Sequence, residues 1–160
     1  MPPLHGDAGQ IIIIAAEEQA HCAFLRGAGA TPLTTTFTVP DQAIMTTVPA
    51  FLTTLITLEE AFIAAYLAAA QEFGVRGEPA WAQHALAIAA VEAEHRVAVR
   101  FFAFEAGALT GLPNDVAFQK ATFSSVGQAA IALLKLGFIG GKGMQITYPG
   151  PGVIFPTPRC

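Results

Sequence analysis

The chain has 160 residues, of which 53% are hydrophobic and only 12% are charged, against about 25% charged residues in an ordinary soluble domain. This length predicts one domain with a substantial buried core, and the apolar content excludes disorder over most of the chain. The net charge of −4, with basic residues scattered and outnumbered by acidic ones, argues against nucleic acid as the main partner.

The low charge also predicts that part of the surface is shared with other chains. So few ionic groups barely cover a monomer, and we expect a homo-oligomer or a subunit of a larger protein complex. Membrane insertion is the competing explanation. The longest uncharged stretch, Gln42 to Leu58, contains five threonines and Pro49, and it is too short and too polar for a spanning helix of about 20 residues.

The N-terminal residues and the cysteines bear on the compartment. Met1 to Gln10 contains no basic segment, and the apolar run Ile11–Ile14 is too short for the core of a secretory signal. Cys22 and Cys160 do not make a disulfide framework. We expect a cytoplasmic protein, or the mature or truncated form of an exported one.

Apolar periodicity predicts three long helices and a shorter fourth. The predicted helices cover about residues 10–26, 49–73, 79–106 and 125–136. Gly27, Gly74 and Gly107 follow the first three, at positions where a glycine readily adopts a left-handed cap. Ser124 or Ser125 is expected to cap the fourth. The fold class is therefore all-α.

The remaining segments predict loops and an extended end. Residues 28–47 are rich in Thr and Pro, and residues 34–39 form either a short extended piece or a loop across the end of the helices. After Gly140 and Gly141 the chain carries four prolines, which exclude a helix. We expect a helical domain over residues 1–142 and an extended Pro-rich tail over residues 143–160.

Three carboxylates lie where apolar side chains are expected. Glu18, Glu59 and Glu92 are each centred on the apolar stripe of their predicted helix. An unpaired buried charge costs several kcal/mol, and three carboxylates that face one core repel each other. A multivalent cation between them relieves both penalties.

Two histidines complete this pattern. His21 follows Glu18 by three residues, and His95 follows Glu92 by the same spacing, which places each pair on one helix face. Carboxylate oxygens with imidazole nitrogens suit iron, manganese or zinc better than calcium or magnesium. Two Glu-x-x-His motifs with a separate Glu on another helix are the ligand pattern of di-iron and di-manganese bundles.

The sequence around these residues resembles the ferritin-like superfamily. The segments that carry the resemblance are Ala16–Leu25, Leu58–Leu67 and Ala90–His95, and they are most similar to the branch that includes the desiccation-related proteins. The resemblance extends from about Ile11 to Gly140. It implies an antiparallel four-helix bundle with a dinuclear iron or manganese site. The ligands that it implies are Glu18, His21, Glu59, Glu92 and His95.

The chain departs from the family pattern at its start. The family's first helix carries a further lone Glu and should precede the Ile11 helix, where only Met1 to Gln10 stands, with two prolines and two glycines. We therefore expect this helix to be absent. A partner chain could fill the gap, the fourth helix could fold back into it, or the site could be degraded.

Two functions follow from the resemblance and the departure. The first is metal-centred redox chemistry: ferrous oxidation, or a reaction with peroxide or dioxygen. The alternative is a structural subunit of a larger assembly, whose Glu and His residues form a buried polar network or the remains of a lost site. The adjacent carboxylates Glu17, Glu60 and Glu94 are expected to be exposed or to lie behind the ligands, although Glu60 is an alternative to Glu59 as the ligand.

Overall fold

The chain forms five helices and two short strands within the residues that the computed structural model describes, which are 5–150 and 152, with side chains from residue 9 onwards. In chain order the elements are α1 (His5–Gly27), β1 (Thr36–Val39), α2 (Ala43–Thr46), α3 (Val48–Val75), α4 (Pro79–Glu105), α5 (Val126–Lys135) and β2 (Met144–Thr147). They divide between two compact units. The first contains the described residues up to Phe37 and from Thr147, and the second is Thr38–Ile146.

The all-α prediction is confirmed, and α1 is longer than its apolar periodicity indicates. It begins at His5, whereas the sequence predicted a start near Gln10. Gly6 and Gly9 lower the helix propensity by only about 1 kcal/mol each, which the rest of a 23-residue helix offsets.

The ends of the long helices follow from local chemistry. Thr47 is extended and its side-chain oxygen accepts the backbone N–H of Ala50, which caps α3. At the other end the left-handed residue is Gly77, with a φ of +75°, and not the predicted Gly74, because the helix continues through Gly74 to Val75. The sequence could not separate two glycines that lie three residues apart.

Helices α3 and α4 pack against each other as an antiparallel pair. Three residues join them, so positions equally far from Gly77 lie at the same level. Both helices bury small alanines, which lets their backbones approach closely. The buried side chains are Leu52, Glu59, Ile63, Ala64 and Ala68 on α3 and Ala85, Ile88, Ala89, Glu92, His95, Arg96, Val99 and Ala103 on α4.

Helix α5 packs against α3 and is capped twice. The Ser125 side-chain oxygen accepts the N–H of Gln128 at 3.3 Å, which confirms one of the two predicted caps. The N–H of Val126 donates to Glu72 Oε1 on α3 at 3.0 Å. A carboxylate at a helix N-terminus also favours the helix dipole, so Glu72 helps to fix α5 on α3.

Strands β1 and β2 pair in a two-stranded sheet. Extended backbone at Thr36–Val39 agrees with one of the two alternatives predicted for residues 34–39. Gly143 precedes β2 with a φ of +150°, and a Cβ there would collide with the Val39 carbonyl oxygen, so this close approach requires glycine. Much of the predicted Pro-rich tail, residues 151 and 153–160, lies outside the described residues, and the domain boundary at 142/143 stays a prediction.

One helix of the described part, α3, is long and apolar enough to cross a membrane by length and composition alone. The core helix of a soluble protein satisfies the same criterion. The sequence-based expectation that the chain does not span a membrane therefore stays a prediction.

Candidate metal centre

Glu59 is the carboxylate that α3 contributes to the core of the Thr38–Ile146 unit. It is 1% exposed, and its neighbour one turn along, Ile63, is equally buried. Glu60 is exposed. The 3.6-residue period of the helix explains the difference, because adjacent residues point about 100° apart. Of the two candidates that the sequence left open on α3, the structure places Glu59 in the core.

Glu92 and His95 occupy the facing side of α4. They are 1% and 3% exposed, and Glu92 Oε2 lies 3.4 Å from His95 Nδ1. Spacing of three residues on one helix makes the two side chains neighbours. Glu94, between them in sequence, is exposed. This agrees with the expectation for Glu94.

The α3–α4 hairpin brings these three side chains together. Glu59 lies eighteen residues before Gly77 and His95 eighteen residues after it, so both sit about 27 Å from the turn at about 1.5 Å per residue. His95 Nδ1 is 3.9 Å from Glu59 Oε2. One ligand atom from each of Glu59, Glu92 and His95 lies within 4.8 Å of the other two. We call these three residues the buried triad.

The buried triad is suited to a metal ion by its chemistry. Two carboxylates and an imidazole at this separation are oxygen and nitrogen donors in a site from which water is nearly excluded. Two negative charges in a low-dielectric core repel each other strongly. A divalent cation at this point compensates both charges, and iron, manganese or zinc matches the mixed donor set.

The other predicted pair belongs to the first compact unit. On α1, His21 Nδ1 lies 3.7 Å from Glu18 Oε2, and the side chains are 13% and 38% exposed. The structure thus brings together the partners within each Glu-x-x-His motif. Glu17, which the sequence placed outside the ligand set, is half-buried on α1.

The sequence prediction assigned no role to Arg96. This arginine is 4% exposed, and its Nη1 donates to Gln119 Oε1 at 2.7 Å. Burial lowers the pKa of the guanidinium below its ordinary value, while the negative charge of Glu60 raises it. An arginine four residues after Glu92 was a signal that could have pointed to a buried charge beside the carboxylates.

Residues 6–105 match the sequence profile of the ferritin-like domain. The matched region is more than half of the chain, and it contains the buried triad and the Glu18–His21 pair. Comparisons with curated proteins and with solved structures gave no match.

Proposed function

The chain belongs to the ferritin-like family, and from this premise we propose that it binds a dinuclear iron or manganese centre. The observation that carries the proposal is the buried triad of Glu59, Glu92 and His95. The further ligands are Glu18 and His21, and their inclusion rests on the two Glu-x-x-His motifs in the sequence. We also propose, from sequence alone, that the chain belongs to the desiccation-related branch.

Burial supports this proposal more strongly than residue type does. Acidic residues on a surface are common without any function, whereas carboxylates that are 1% exposed are rare unless a cation or a hydrogen-bond network stabilises them. Ile63 and Val99 lie one turn beyond Glu59 and His95, and both are buried. Because the two helices are antiparallel, Ile63 lies on the turn side of the donors and Val99 on the opposite side. Apolar side chains thus flank the donors in both directions and strengthen any charge interaction between them.

The residues have distinct roles in such a centre. When bound, the metals supply the redox chemistry, which in this proposal is ferrous oxidation or a reaction with peroxide or dioxygen. His95 offers a nitrogen lone pair in its neutral form. Glu59 and Glu92 balance the positive charge, and the packed α3–α4 pair holds all three donors in place.

A structural subunit with an empty site is the second candidate. The observation that favours it is a row of exposed apolar side chains on α4, namely Leu86, Phe101 and Phe104. Their spacing places them on one face of the helix. Phe101 and Phe104 lie next to each other on this face, and adjoining exposed apolar side chains are typical of contact surfaces. The expected homo-oligomer or larger complex remains a proposal with the same support.

The test is the iron, manganese and zinc content per chain of protein purified without chelators, measured by elemental analysis. We expect about two iron or manganese ions per chain, a marked loss in Glu59→Gln, and no change in Glu94→Gln, whose side chain is exposed. One ion per chain contradicts the dinuclear centre. Protein without any of these metals contradicts metal binding and leaves the structural role. A monomeric mass in sedimentation would in turn exclude that role.

A further inference from the structure

A permanently charged side chain lies beside the buried triad. Arg96 directly follows His95, and it lies four residues after Glu92 on α4. Glu followed by a basic residue at this spacing is the favoured geometry for an ion pair on a helix. An arginine does not lose its charge at any ordinary pH. Arg96 is therefore a potential competitor of a metal ion for the Glu92 carboxylate.

The structure directs the Arg96 guanidinium to another partner. Its Nη1 donates to Gln119 Oε1 at 2.7 Å, and its Nε makes no hydrogen bond within the part of the chain that the structure describes. Burial and the positive charge of Arg100 lower the pKa of the guanidinium, and the carboxylates of Glu60 and Asp115 raise it. A short hydrogen bond from a charged donor is stronger than a neutral one.

Gln119 sits on a segment that is itself anchored. Residues 106–125 connect α4 to α5 without helix or strand, and Arg100, one turn after Arg96, binds the first part of this segment. Arg100 Nε donates to the Pro113 carbonyl at 2.8 Å, and Nη2 donates to the Leu112 carbonyl at 3.1 Å and to Asp115 Oδ1 at 2.7 Å. These bonds tie the first part of the connection to α4, ending four residues before Gln119, and the hydrogen bond from Arg96 ties Gln119 itself to the same helix.

From this geometry we propose that Gln119 is a positioning residue, which holds the Arg96 guanidinium away from Glu92 and so keeps that carboxylate available to a metal ion. The inference rests on the proposed metal function of the buried triad. An amide is suited to the task because it accepts a hydrogen bond without adding a further negative charge to the site. Without Gln119 the guanidinium could reach the carboxylate one turn away on its own helix.

The experiment titrates metal-depleted protein with Co²⁺, whose visible absorption reports both affinity and ligand set. We expect Gln119→Ala to weaken Co²⁺ binding about tenfold, the lower end of the effect of residues that support a ligand. Gln119→Glu, which also accepts from Arg96, should retain affinity within about threefold. The double variant Arg96→Gln/Gln119→Ala should regain the affinity of Arg96→Gln, since the competing cation is gone. Unchanged affinity in Gln119→Ala, or a double variant as weak as Gln119→Ala, overturns the proposal.

A second measurement does not depend on metal. In metal-depleted protein, a double-mutant cycle of Glu92→Gln and Arg96→Gln measures their coupling through urea unfolding. With Gln119 present, we expect no coupling, so the effects of the two substitutions on the unfolding equilibrium constant should simply multiply. In the Gln119→Ala background, we expect the coupling to change that constant by about tenfold. Equal coupling in both backgrounds overturns the proposal. If wild-type protein binds no Co²⁺, the metal function fails, and this cycle still decides whether Gln119 controls Arg96.

Discussion

The two Glu-x-x-His motifs have the same spacing and different surroundings. On α4, Glu92 and His95 are almost fully buried and 3.4 Å apart. On α1, Glu18 and His21 are 3.7 Å apart, and the glutamate is 38% exposed. A carboxylate in water keeps most of its hydration, whereas a buried one depends on what surrounds it. The comparison shows that the same motif has a larger electrostatic cost without a metal ion on α4, where it is buried, than on α1, where its glutamate is partly exposed.

The largest expected effect separates the two motifs by metal binding. Glu92→Ala removes a buried donor, and we expect the affinity for Mn²⁺ to fall more than about 100-fold, beyond what loss of a merely supporting residue causes. Glu18→Ala should lower the stoichiometry from about two ions per chain to one. Isothermal titration calorimetry measures both quantities. Glu94→Ala is the control, because its side chain is exposed on the same helix; equal losses in all three variants would remove the distinction.

The next effect concerns stability without metal. Glu59→Leu replaces a buried charge by an apolar group of similar volume, and we expect metal-depleted protein to become more stable by about 1–4 kcal/mol while losing metal binding. Glu18→Leu, at a half-exposed site, should change stability by less than about 0.5 kcal/mol. Urea unfolding in the presence of a chelator measures both. A destabilised Glu59→Leu protein would show that the carboxylate supports the fold rather than a ligand.

The smallest effect tests how the backbone of the α3–α4 hairpin contributes to stability and to metal binding. Gly74→Ala lies inside α3, and outside the local helix backbone no atom lies within 4 Å of the added Cβ, so it should stabilise the protein by about 0.5–1 kcal/mol. Gly77→Ala has equal space but a φ of +75°, and it should destabilise by about 1–2 kcal/mol. Thermal unfolding measures both. Gly74→Ala should leave the metal content unchanged, and a changed content would mean that α3 must flex for binding.

Much of the helical fold could be predicted because its signals are local. Period-3.6 apolar stripes, Pro79 at the start of α4 and Ser125 as the cap of α5 each act within one or two turns. The strands could not be predicted with the same certainty. Their pairing joins Thr36–Val39 to Met144–Thr147, and a contact over more than 100 residues leaves no periodic trace in either short segment.

Candidate ligands could also be predicted from the sequence, because charged residues at the centre of an apolar stripe differ clearly from their hydrophobic neighbours. The sequence could not decide whether Glu59 or Glu60 is the ligand, because both have apolar residues at helical spacing. Only the packing of α4 on α3 distinguished them. The same packing buried Arg96, and the connection between α4 and α5 supplied Gln119 from a segment with no motif of its own.

The sequence by itself determined the three long helices and α5, the ferritin-like family and the residues that could bind metal, because periodicity, caps and short motifs act over a few residues. Only the tertiary structure decided which carboxylates are buried together and which group restrains Arg96. Burial and hydrogen-bond partners depend on the side chains that arrive from distant parts of the chain. The packing of the helices decides which of these side chains become neighbours, and the residue spacing within one helix does not predict it.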